Sequence, residues 1–130
     1  MLDFSALSKA ASSLSQALQA ASTRPDDLLV RDACIQRFEY TYELSVKYMR
    51  RQLEALADSP SSIDELGFKD MVRAAAERGL VDNPIDWFGY RELRNATAHT
   101  YDADKALAVF TALPDFLLHA ESLSKKLTAC

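Results

Sequence analysis

Glycine and proline are scarce in this chain, with 3 Gly and 4 Pro among 130 residues. So few turn formers disfavour β architectures and favour a small number of long helices joined by short loops. Cysteine is rarer still. Cys34 sits inside an apolar helical pattern and Cys130 is the last residue, so neither a disulfide framework nor a Cys/His zinc spacing is present. Uninterrupted apolar runs are too short to span a bilayer. The opening stretch, MLDFSALSKA, lacks the basic region and apolar core of a signal peptide, which makes the cytoplasm the expected location and leaves no membrane partner expected. An excess of positive charge is missing too. The formal net charge is −4, so nucleic-acid affinity is not carried by bulk charge. It would need a local patch, or a small patch doubled by dimerisation.

What is present is ordinary for one soluble domain spanning residues 1–130: 48% apolar and 26% charged residues. Phe4, Leu7, Ala11, Leu14 and Leu18 predict a first helix from about Asp3 to Ser22. TRPDD breaks it, with Pro25 suited to a new helix start and Asp26 and Asp27 favoured there by the macrodipole. A long second helix, about Asp26 to Ala57, carries a heptad-like stripe of Ile35, Phe38, Tyr42, Val46 (or Ser45), Met49, Leu53 and Leu56. Beside it lies a second stripe, Tyr40, Leu44 and Tyr48, read as packing and open to a partner chain. Glu43 and Lys47 read as an i,i+4 pair on a solvated side. A third helix is placed within Ile63 to Arg78, with Ser62 and Glu65 as a capping box. Gly67 weakens its first half, and Gly79 before Leu80 reads as a Schellman-type stop. Asn83 and Pro84 fit N-cap and N1 of a fourth helix carrying Ile85, Trp87, Phe88 and Leu93. Asp102 suits the N-cap of a fifth, about Ala103 to Leu127, with Ala106, Phe110, Leu113, Leu117 and Leu123 on its stripe and a kink at Pro114. The fold class is therefore all-α: an antiparallel up-and-down bundle of about five helices around a four-helix core.

The stretch ELRNATAHTYD, Glu92 to Asp102, gathers Arg94, Asn95, His99 and Tyr101 among small residues. On a regular helix Arg94 and Tyr101 share a face, and Asn95 and His99 share a neighbouring one. Arg94 and His99 are then about 140° apart. Either the helix ends near Thr97 and the chain bends, or the two side chains line a cleft completed by a second subunit. The chemistry suits RNA. Histidine can take or give a proton as a ribose 2′-OH attacks the adjacent phosphate. Arginine forks onto phosphate oxygens and stabilises the charge that builds in the transition state. Asn95 can orient His99 or hold a phosphate. Apart from Glu92, Asp102 and Asp104 no carboxylate lies near, so the natural form is a metal-independent cleavage leaving a 2′,3′-cyclic phosphate, with no cofactor.

RNATAHTY resembles the R-x4-H-x-Y motif of HEPN-domain proteins of the HepT type, through Arg94, His99 and Tyr101. RDACIQRFEYTYELSVKYMRRQLE and AAERGLVDNPIDWFGYRELRNATAHTYD resemble the branch known as nucleotidyltransferase substrate-binding proteins. The likeness runs from the second helix to the fifth. It implies a helical bundle that forms a homodimer with the motifs facing a shared cleft. It also implies an endoribonuclease toxin paired with a minimal nucleotidyltransferase (MNT). That partner would silence the toxin by transferring AMP from ATP to Tyr101. The same likeness supports another reading: a non-catalytic subunit that holds substrate for a separate nucleotidyltransferase.

Bland roles stand beside these. Arg94 can bond the last carbonyls of its helix, His99 can cap or pack, and Tyr101 can be a core-edge aromatic. A purely structural helical adaptor remains a third reading. His119, among apolar residues, reads as structural. Arg50, Arg51, Lys125 and Lys126 read as solvated, and Arg91 as an addition to a phosphate patch near the motif.

Overall fold

The computed structural model describes residues 2–129, and Cys130 lies outside them. Six α-helices and one 3-10 turn make up the fold: α1 Ser5–Thr23, α2 Leu28–Leu56, α3 Pro60–Asp64, α4 Phe68–Glu77, α5 Pro84–Ala96, the turn Thr97–His99, and α6 Ala103–Ala129. No strand occurs among the described residues, as the composition predicts. Local punctuation explains most of the boundaries. Asp27, not Asp26, caps α2, accepting the amides of Leu29 and Val30, while Pro25 lies in the preceding turn rather than at a helix start. The stop after α4 is a Schellman motif: Gly79 has φ 78°, its N–H donates to the Ala76 carbonyl, and Leu80 N–H donates to Ala75.

The expected third helix is two helices. Gly67 separates them with extended backbone, and the expected capping box does not form. Ser62 instead donates its hydroxyl proton to the Ser59 carbonyl, and Ser59 is the N-cap of α3. Arg50, read as solvated, donates to the Ile63 carbonyl at 3.0 Å and ties α3 to α2. Lys126 is likewise paired, with Asp82 at 2.9 Å.

α2 and α6 form the centre of the bundle. Phe116 of α6 touches Phe38 of α2 edge-on at 4.8 Å, and Trp87 and Tyr90 of α5 at 5.9 and 5.1 Å. These aromatics fix α5 against both central helices. The Tyr40–Leu44–Tyr48 stripe is covered only in part by the chain itself: Tyr48 is buried against Phe4, Leu44 is half-buried, and Tyr40, hydrogen bonded to Ser13 of α1, stays exposed. On the α2 stripe it is Ser45 rather than Val46 that is buried, its hydroxyl donating to the Thr41 carbonyl, whereas Leu56 is exposed. The α6 stripe differs from expectation. Val109, Phe116, Ala120 and Leu127 are buried with Ala106, Leu113 and Leu123, while Phe110 and Leu117 sit at the edge. α6 runs through Pro114 as one helix. By length and composition it is apolar enough to cross a membrane, a property its short uninterrupted runs hide; here its buried stripe packs in the bundle.

Candidate active site at the end of α5

α5 starts where the sequence says it should. Asn83 Oδ1 accepts the Ile85 amide at 3.0 Å and Pro84 occupies the first turn. Trp87 and Tyr90 point inward, whereas Ile85 is 69% exposed. The helix ends at Ala96, and a 3-10 turn carries the chain through His99. Asp102 then caps α6, accepting the amides of Asp104 and Lys105 at 2.9 and 3.3 Å. Of the two ways to reconcile Arg94 with His99, the helix end near Thr97 is present within one chain.

Thr97 builds this end. It is buried, donates its hydroxyl proton to the Arg94 carbonyl at 2.6 Å, and accepts from Arg94 Nη1 at 2.9 Å. Sequence reasoning missed this residue. It also missed what holds the rest of the guanidinium. Arg94 Nε and Nη2 donate to Glu43 Oε1 at 3.1 and 2.6 Å, and Nη1 lies 3.3 Å from Glu39 Oε2. Glu43 therefore serves Arg94, and the expected Glu43–Lys47 pair does not form. Hydrogen bonding to Glu43 raises the Arg94 pKa above its ordinary value, with the charge of Glu39 adding and burial opposing. The signal that could have found this clamp is the acidic pair at i,i+4 on α2, Glu39 and Glu43; the arginine lies 51 residues beyond Glu43.

His99 and Tyr101 lie beyond the clamp, in solvent. Their rings meet edge-on at 6.1 Å. Tyr101 is 86% exposed, and its hydroxyl makes no hydrogen bond among the described residues. Asn95 does not contact His99. It lines an open groove between α4 and α5, together with Phe68, Lys69, Phe88 and Arg91. The structure thus brings Arg94 to Thr97 and His99 to Tyr101, and leaves Asn95 on a separate face. Elsewhere, Cys34 is fully buried and burial pushes its thiol up, which removes it as a nucleophile.

Comparison with known proteins decides the family. The family model for nucleotidyltransferase substrate binding protein like chains matches residues 2–129. This chain belongs to that family. A Haemophilus influenzae protein named probable ribonuclease HepT is 45% identical over 101 residues, covering 78% of this chain and 68% of the relative. The structure of HI0074 from Haemophilus influenzae superimposes with a TM-score of 0.90 at 36% identity, covering 97% of this chain and 99% of that one. It is described as revealing the fold of a substrate binding domain of a nucleotidyltransferase. A Thermus thermophilus protein of known crystal structure matches with a TM-score of 0.73 at 30% identity, covering 91% and 98% of the two chains. The HepT likeness and the helical fold read from the sequence therefore stand, and the family implies a nucleotidyltransferase partner.

Proposed function

We propose that this family member is a HepT-type endoribonuclease, acting as a homodimer in the cytoplasm and controlled as a toxin by a minimal nucleotidyltransferase. The observation that carries the reading is the helix end itself. α5 stops between Arg94 and His99, so a fixed guanidinium is followed at once by an imidazole with no hydrogen-bond partner among the described residues. In the reaction, one imidazole removes the 2′-OH proton as O2′ attacks phosphorus. The P–O5′ bond breaks, the 5′-oxygen takes up a proton, and a 2′,3′-cyclic phosphate and a 5′-hydroxyl remain. A second His99, from the dimer partner, supplies that proton. Arg94 neutralises the equatorial oxygens once the phosphate displaces Glu43. Asn95 holds a neighbouring phosphate from its own face.

Tyr101 is the control point. Its free hydroxyl attacks the α-phosphate of ATP held by the nucleotidyltransferase, forming a phosphodiester to AMP and releasing pyrophosphate. The added nucleotide would stand against the His99 ring and fill the space that RNA needs.

The test is incubation of the purified protein with RNA in EDTA, beside Arg94→Ala and His99→Ala. Cleavage by the parent alone, with cyclic phosphate ends, is the expected result; equal traces from all three sink the enzyme reading. Mass spectrometry after incubation with the nucleotidyltransferase and ATP checks for AMP on Tyr101.

One observation favours the other reading, a substrate-holding subunit that cuts nothing. Arg94 is saturated by two carboxylates and a hydroxyl, and the chain is acidic overall. That reading expects Arg94→Ala to lower transferase output with no RNA products in any sample.

A further inference from the structure

The cations near α5 fall into two groups. Arg94, Arg73 and Lys126 are paired with carboxylates. Lys69 and Arg91 are exposed and have no carboxylate partner among the described residues. What they have instead is an aromatic ring each. Lys69 Nζ lies 5.4 Å from the centre of the Phe88 ring, and the Arg91 guanidinium lies 4.6 Å over Phe68. The Arg73 guanidinium also stands 5.4 Å from Phe88, and the two rings are 6.3 Å apart. Lys69, Arg91 and the two rings line the α4–α5 groove of about 430 Å³ with Asn95 and one acidic residue, Glu92. That volume suits a small ligand group such as one nucleotide.

The groove has a direction. Phe88, Glu92 and Asn95 follow at helical spacings of four and three, so one stripe leads from the aromatic floor to the last turn of α5, and His99 follows four residues past Asn95 on the 3-10 turn. We infer that this groove is a binding track for single-stranded RNA: the strand leaves the His99 end with its phosphates on Lys69 and Arg91 and a base on Phe88. The proposal rests on the ribonuclease reading only in taking His99 as the cutting end. Three features favour RNA over an acidic protein. Free cations alternate with π faces, which is how sequence-tolerant single-strand sites are built. The pair supplies the local positive patch that a chain of net charge −4 otherwise lacks. The Asn95 end of the groove lies four residues along the chain from the candidate cutting residue. A duplex hides its bases and would find only the phosphate contacts.

The experiment uses the full chain carrying His99→Ala, so that RNA survives, and the anisotropy of a labelled 12-nucleotide single strand and of its duplex. Adding Lys69→Ala and Arg91→Ala should weaken single-strand binding about tenfold or more and flatten the salt dependence by about 1.4 in log–log slope, as for two lost phosphate contacts. Phe88→Leu keeps an apolar side chain but no π face; it should weaken single-strand binding by roughly fivefold or more and leave the duplex unchanged. Unchanged affinity and slope in the double variant overturn the track. So does a double variant that binds RNA normally but no longer captures the nucleotidyltransferase, which would make the groove a partner surface. If the parent cuts no RNA yet single strands bind through Lys69, Arg91 and Phe88, the cutting role of His99 falls and the track stands.

Discussion

The two histidines of the chain occupy opposite settings. His119 lies on α6 with its Nδ1 hydrogen bonded to the buried Tyr90 hydroxyl and its Nε2 3.9 Å from Asp86 of α5. Its ring sits 5.5 Å from that of Tyr90, so it joins α5 to α6 at the edge of the aromatic core. When Nε2 carries the proton, the tyrosine donates to Nδ1 and both nitrogens are used. His99 has none of this. It stands on a three-residue turn with one ring neighbour, Tyr101, and both nitrogens open to solvent. One imidazole is occupied by structure and the other is left for a ligand. The same residue type is a brace in one place and exposed in the other, where the proposed reaction uses it, and the difference lies in which helix partners surround it.

The sharpest way to break this comparison is to exchange the losses. His99→Ala should cut RNA cleavage by about 10²–10⁴-fold, the usual worth of a general acid–base, with an unmoved thermal midpoint. His119→Ala should do the reverse: kcat within a few-fold of the parent, and stability lower by roughly 1–3 kcal/mol because a buried tyrosine hydroxyl loses its partner. Urea denaturation of both variants, set beside their cleavage rates, reads this out. A folded His119→Ala protein of full stability that no longer cuts RNA would move the chemistry to α6. Restoring much of the loss with Tyr90→Phe in the His119→Ala background would tie it to that one hydroxyl.

The same tyrosine sharpens the contrast with pH. Burial, with the charges of Asp86 and Asp115 adding, raises the Tyr90 pKa above its ordinary value, and burial pushes Tyr42 up to about 12. Folding thus favours the protonated phenols. Their contribution is fully present below the unfolded tyrosine value near 10 and is lost as pH rises from there through the folded values. Unfolding free energy should fall between pH 10 and 12, less steeply in Tyr90→Phe. A smaller effect is expected at the start of α5, where Asn83→Ala removes an N-cap worth about 1 kcal/mol; calorimetry checks it. The smallest is Glu43→Gln. It loosens the clamp on Arg94 and should tighten RNA binding a few-fold, with stability changed by less than about 1 kcal/mol for a solvent-screened pair.

How legible these features were depended on how local their causes are. Asn83, Asp102 and the Gly79–Leu80 stop act within a few residues, and each was read correctly. The break at Gly67 was harder to see, because apolar residues continue on both sides of it. The α6 stripe slipped because that helix is apolar on several faces, so Phe110 and Leu117 fit a helical repeat as well as Val109 and Phe116 do. Within the site, Arg94, His99 and Tyr101 were evident from the motif. Glu39, Glu43 and Thr97 were not, since the clamp exists only once α2 and α5 are side by side.

Thr97 gives the motif a mechanical property. Its hydroxyl holds both the Arg94 carbonyl and the Arg94 guanidinium, two residues before His99. Under the proposed function, a phosphate that drew the guanidinium away from Glu43 would also pull on the residue at which the coil tightens from α to 3-10 pitch. In the proposed reaction the position of the imidazole would therefore follow the occupancy of the arginine through one turn of chain.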